Sequence, residues 1–148
     1  MIGDWIKDEV RSLVNEYGTR DPFELCDALG VRVICYPLPG RVAGFSLRYG
    51  EEAQIFLNER LEEELEATCA HELGHLRLHP RHNSYFLREC TCCVPGRYER
   101  EADLFAALLL LPEEAWPPAG AGSVMWRPGG RHSLPPRLAE LLSREAGA

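Results

Sequence analysis

The stretch ATCAHELGHLRLHP, residues 67–80, sets His71, Glu72 and His75 in a segment that otherwise reads as a core helix. A spacing of four places the two imidazoles on successive turns of one helix face. In the pattern His-Glu-x-x-His on a helix, the two rings can share one metal ion. The intervening glutamate then stands beside it, close enough to take a proton from water there. A tetrahedral catalytic zinc takes three protein ligands and leaves its fourth position to water, whose pKa falls towards neutrality. His71 and His75 therefore read as two ligands and Glu72 as the general base. The plain alternative is a pair of partly exposed histidines on a packing helix. A third ligand elsewhere in the chain separates the two readings.

His79 continues the four-residue spacing, but on a straight helix it lies a further turn, about 5–6 Å, along the axis. It reads as a C-terminal histidine at the negative end of the helix dipole. A third histidine ten residues after the first is absent, because position 81 is arginine. The better source is YEREADLFAALLLLP, residues 98–112, where Glu99 and Asp103 lie one turn apart on one face with Ala102 and Ala106 alongside. The small alanines allow close approach to the first helix, so that Glu99 can reach the metal. Asp103 is then placed to accept from the second nitrogen of a ligand imidazole. Acids on a helix otherwise built of Ala, Leu and Phe are costly to bury without a cation. A solvated first turn, with acids favoured by the helix dipole, explains Glu101 well and Asp103 poorly.

A chain of 148 residues supports one sizeable core. Its net charge of −7 and the sparse arginines Arg127, Arg131 and Arg137 argue against a nucleic-acid surface. LFAALLLLP, residues 104–112, is half the length that spans a bilayer, and the acidic amphipathic start does not resemble a signal peptide. The 6 cysteines accordingly read as reduced thiols in a cytoplasm.

Along the chain, Ile6, Val10, Leu13, Val14 and Tyr17 mark an amphipathic helix over 4–17. DPFELCDALG marks a second helix, with Asp21 as cap, Pro22 at the first position, Glu24 at capping-box distance and Gly30 at the end. VRVICYP, VAGFSLRYG and EEAQIFLNE are strand-like and suggest a small, mostly antiparallel three-stranded sheet. The motif helix is expected over 61–78, with Leu65, Cys69, Leu73 and Leu76 on its core stripe and the two histidines on another side. An irregular connection leads to a helix over 98–111, ended by Pro112. A Gly/Pro-rich tail and a short helix over 137–144 follow. The expectation is a single α+β domain over 1–148. Helices and sheet occupy 1–60, the metal-binding helices 61–114, and the tail with its short helix 115–148.

HELGHLRLHP followed by EREADLFAALLLLP resembles the ImmA/IrrE family of zinc-dependent metallopeptidases. VRVICYPLPGRVAGFSL and then AQIFLN ahead of the motif fit as well, so the likeness covers about residues 20–114. The resemblance implies a zincin-like core, His71, His75 and Glu99 as zinc ligands, Glu72 as catalytic acid/base and Asp103 behind the ligands. It also implies a protein partner, a DNA-binding repressor that the enzyme cleaves or inactivates in a stress or mobile-element switch. No helix-turn-helix is found in this chain, and the stretch after Trp116 matches no family pattern.

ECTCC, with Cys90, Cys92 and Cys93 between the two metal helices, admits three functional readings. It is a second metal site, a redox-sensitive element, or a thiolate that closes the zinc's open position; packing or exposed loop cysteines stand equally beside these. Tyr85, His82 and His132 are the side chains suited to steady an oxyanion, with no choice among them. The AGFSL run is a possible sheet edge for an extended substrate. A binding module that sequesters a repressor without cutting it, its metal purely structural, uses the same residues. A metal-free interaction domain is the third class. Manganese or iron suits the ligand set too.

Overall fold

The computed structural model describes residues 3–81, 95–116 and 135–147. The first helix, α1 (Asp4–Tyr17), buries Ile6, Val10 and Leu13 at the expected spacing and closes on Gly18 in the left-handed region. The second, α2 (Pro22–Leu29), begins where Asp21 Oδ1 accepts from the amides of Phe23 at 2.8 Å and Glu24 at 3.4 Å. These bonds satisfy two of the donors that a helix start leaves unpaired.

Three strands follow, β1 (Arg32–Tyr36), β2 (Gly44–Tyr49) and β3 (Glu52–Asn58), in the order β1–β3–β2. The β2–β3 hairpin is antiparallel, with Phe45 opposite Phe56, whereas β1 runs parallel to β3, with Val33 opposite Ile55. The sheet is therefore mixed, and the antiparallel expectation describes one of its two pairings. The segment between β1 and β2 contains Pro37 and Pro39, which cannot donate to a tight hairpin ladder. It instead leaves a strand's width into which β3 inserts. Asn58, buried at the end of β3, ties this segment down by donating to the carbonyls of Leu38 at 3.3 Å and Val42 at 3.0 Å.

Asn58 also accepts from the amide of Arg60 at 3.2 Å, opening a 3₁₀ stretch over Glu59–Glu64. The motif helix, α3 (Leu65–Leu78), therefore starts four residues later than its periodicity suggests. Ala53, Ile55 and Leu57 of β3 are buried on the sheet face that meets α3. On its other side α3 is covered by α4 (Pro95–Leu110), which begins with a proline three residues ahead of the expected start. From Cys69 to Leu76 every residue of α3 is buried, so the helix has no solvated face there. The last helix, α5 (Pro136–Gly147), lays Leu138 and Leu142 into the core beside α4. Among the described residues no helix is long and apolar enough to cross a membrane.

Two details hold α4 in position. At its middle, Gly74 of α3 faces Phe105 and the carbonyl of Ala102. A β-carbon on Gly74 would lie 3.0 Å from Phe105 Cδ1 and 3.2 Å from that oxygen. At its end, Arg20 Nη1 donates to the carbonyls of Leu108 at 3.1 Å, Leu109 at 3.2 Å and Leu111 at 2.5 Å. Trp116 Nε1 donates to Leu108 O at 2.9 Å, and the Arg20 guanidinium lies 5.6 Å from the indole centroid. The last carbonyls of α4, left without intrahelical donors, are thus capped by a cation and an indole. Replacing Arg20 with Met keeps an apolar stem over Trp116 and removes the donors. Charge-assisted bonds of this kind are worth about 1.5–3 kcal/mol, and urea unfolding of Arg20→Met should show a loss of that order. An unchanged midpoint would mean that water replaces the guanidinium without cost.

Candidate metal centre

The all-round burial of α3 removes the alternative of surface histidines: His71 is 7% exposed and His75 0%. Their Nε2 atoms lie 3.1 Å apart. From α4 the Glu99 carboxylate reaches both, with Oε2 3.1 Å from His71 Nε2 and Oε1 3.1 Å from His75 Nε2. Two imidazole nitrogens and both oxygens of one carboxylate, from two helices with their bearers 24 residues apart at the nearest, thus meet. The close approach that permits this occurs at Gly74, and Ala102 and Ala106 are both buried.

The outward-facing ring nitrogens are occupied. Asp103 Oδ1 accepts from His71 Nδ1 at 2.7 Å. His75 Nδ1 lies 3.3 Å from His79 Nδ1. Both rings therefore turn Nε2 towards Glu99, as second-sphere partners do for ligand imidazoles. The Glu72 carboxylate, 1% exposed, lies within 4.8 Å of the donor atoms of both histidines. Glu72 and Glu99 thus both stand near the imidazoles. Glu72 forms with the two histidines a group able to hold a metal ion, and Glu99 is bonded to each Nε2.

The donor set suits a cation. With ligands about 2.0–2.1 Å from zinc, tetrahedral geometry separates them by roughly 3.3 Å, close to the spacing found. Two imidazoles and one carboxylate could hold zinc in the arrangement of open catalytic sites. Protons bind the same cluster together when no metal is present. Burial, the largest single influence on His71, lowers its pKa, but hydrogen bonds to Asp103 and Glu99 and the nearby Glu72 charge outweigh it and raise the value to about 9. Burial likewise pushes Glu99 up, but hydrogen bonds from His71 and His75 overcome it and hold the carboxyl well below its usual range.

Glu101 is not part of a solvated first turn. It is 7% exposed, accepts from Arg97 Nε at 3.0 Å and sits 3.6 Å from His79 Nε2. His79 is buried as the C-cap of α3, its ring edge-on to Tyr98 at 4.5 Å. Its spacing of four from His75 is the sequence signal for the contact between those two rings. Tyr85, His82, His132, Cys90, Cys92 and Cys93 lie outside the described residues. Of the remaining cysteines, Cys26 and Cys69 form a buried thiol pair 3.9 Å apart, and Cys35 is exposed.

Residues 26–119 match the peptidase family described as the IrrE N-terminal-like domain. The chain belongs to the ImmA/IrrE family. Within reach of that family, it is 38% identical over 109 residues to an immunity region protein of Bacillus phage phi105, covering 73% of this chain and 69% of that protein. It is 31% identical over 111 residues to the metallopeptidase ImmA of Bacillus subtilis, covering 74% of this chain and 64% of that protein. The chain thus spans less than two thirds of the length of that ImmA. No solved structure matches it.

The raised His71 and lowered Glu99 give the metal-free protein a defined pH response. A histidine that binds its proton more tightly when folded stabilises fully below its unfolded value of 6.5, and this contribution disappears as pH rises through about 9. A carboxyl held low stabilises above its usual 4.5, and that contribution fades as pH falls below it. Denaturant midpoints measured in chelator should therefore peak between these limits and fall from pH 6.5 to 9. A His71→Gln variant should lack the alkaline fall.

Proposed function

We propose that the protein is a zinc-dependent metalloendopeptidase of the cytoplasm that acts on a regulatory protein, a DNA-binding repressor. The observation that carries the reading is the convergence of His71 Nε2, His75 Nε2 and the Glu99 carboxylate at mutual distances of 3.1 Å. In this reading those three residues are the zinc ligands, Glu72 is the general base and acid, and Asp103 fixes the orientation of His71. When bound, the ion polarises the scissile carbonyl and acidifies water beside it.

Glu72 takes the proton from water and passes it to the leaving amine, so that the nitrogen departs neutral. Its burial keeps this carboxylate close to the reacting atoms and away from bulk solvent. Asp103 accepts the Nδ1 proton of His71, which keeps that ring's Nε2 directed at the site and makes it a better donor.

Strand β2 supports an extended peptide as substrate. It is an edge strand of the described sheet, and it runs beside the motif helix. A β-carbon on Gly44 would lie 3.2 Å from Thr68 Cγ2, and Arg48 Nη2 donates to Leu76 O at 3.2 Å. A polypeptide laid alongside β2 would run along the length of the histidine-bearing turns, where main-chain pairing holds an extended chain without demanding one sequence. The immunity-region name of the phage relative supports a regulatory protein as the target.

Glu72→Gln should keep stoichiometric metal by elemental analysis and lose about 10²–10⁴-fold in the rate of cleavage of the cognate protein. Glu99→Ala should lose the metal itself. If Glu72→Gln leaves repressor control in cells intact while Glu99→Ala abolishes it, the protein sequesters its partner without cutting it.

A further inference from the structure

His71 and His75 occupy similar positions on α3 but are braced differently. His71 leans directly on a carboxylate, Asp103, at 2.7 Å. The Nδ1 of His75 meets another imidazole, His79, at 3.3 Å. Behind His79 stand Glu101, 3.6 Å from its Nε2, and Arg97, which donates to Glu101 at 3.0 Å. His75, His79 and Glu101 are all buried, and Tyr98 packs edge-on against the His79 ring. The series runs from the donor cluster to an exposed guanidinium, and its step from His79 to Glu101 is longer than a hydrogen bond.

We propose that His79 is the positioning residue for His75, with Glu101 and Arg97 holding His79 in turn. The inference rests on the metal-ligand reading above. Once His75 gives Nε2 to a metal ion, its one proton resides on Nδ1. Nδ1–H then donates to His79 Nδ1, which must be the unprotonated nitrogen of that ring. The His79 proton consequently lies on Nε2, facing the Glu101 carboxylate. The order of donors then runs outward from His75 through His79 towards the acid. The acid finds its counter-charge in Arg97. Glu101, 3.6 Å from His79 Nε2, supplies a negative charge beside His79 rather than a hydrogen bond, so the brace on His75 is the His79 ring itself.

The test compares zinc affinity of the full chain, by competition with a chromophoric chelator, across His79→Leu, His79→Asn and His79→Gln, with circular dichroism as the check on folding. Asn places its oxygen near the position of Nδ1, whereas Gln reaches towards that of Nε2. His79→Leu should weaken zinc binding about 10–100-fold, as loss of an outer partner does. His79→Asn should recover most of that loss and His79→Gln should not. The visible spectrum of the cobalt-substituted protein should change with Leu and return with Asn.

If His79→Leu does not fold, the Asn against Gln comparison still decides. Equal affinity in wild type and all folded variants overturns the role of His79 while leaving the ligands standing. Failure of the wild type to bind zinc overturns the metal-centre reading and this inference with it.

Discussion

The contact on which the site depends is the approach of two helices at a glycine. Gly74 lies between the two histidines, and the space where its side chain would be is filled by Phe105 and the carbonyl of Ala102. That proximity allows a glutamate side chain from α4 to span the gap and touch both imidazoles. Core packing and site geometry are therefore one arrangement: the apolar side chains that bury α3 against α4 also set the distance between donor atoms. Interiors packed at crystal density transmit small volume changes, so a methyl group in this seam acts on the site without touching it.

Around that seam the fold gathers an unusual density of charge. Glu72, Glu101 and Asp103 are buried beside three buried histidines, with Glu99 partly covered. Carboxylates in such surroundings need partners, and each acid for which a bond is described has one that comes from the site itself or from Arg97. The imidazole nitrogens facing away from Glu99 are engaged by Asp103 and His79, and those facing it meet Glu99 and each other. Protons on His71 serve the same electrostatic need in the metal-free protein, which is why its pKa rises despite burial.

Much of this was legible because the informative signals are local. The periodicity of Ile6, Val10 and Leu13, the Asp-Pro start and glycine stop of α2, and the three strand runs depend on neighbours in sequence, and the structure has these elements at those places. The clustering of positions 71, 72 and 75 follows from helix spacing alone. Non-local features were less readable. Parallel pairing of β1 with β3 depends on where the connection passes, which residue pattern does not encode. The start of α3 shifted because a side chain at the end of β3 captured the turn. Glu101 looked like a solvated first-turn acid because its contact with His79 comes from the far end of another helix. His79 was read by its place at a helix end, when its neighbours on α4 decide its surroundings.

The cap on α4 has a consequence for how this domain can be trimmed. Arg20, which grips the final carbonyls of the helix carrying Glu99 and Asp103, precedes the span of 26–119 shared with the family. A fragment cut to that span would retain every donor atom of the centre yet lose the strut that sets the far end of their helix. The residues that define the kinship and the residues that keep its geometry in register are thus different sets, and part of the second set lies in the loop after α1.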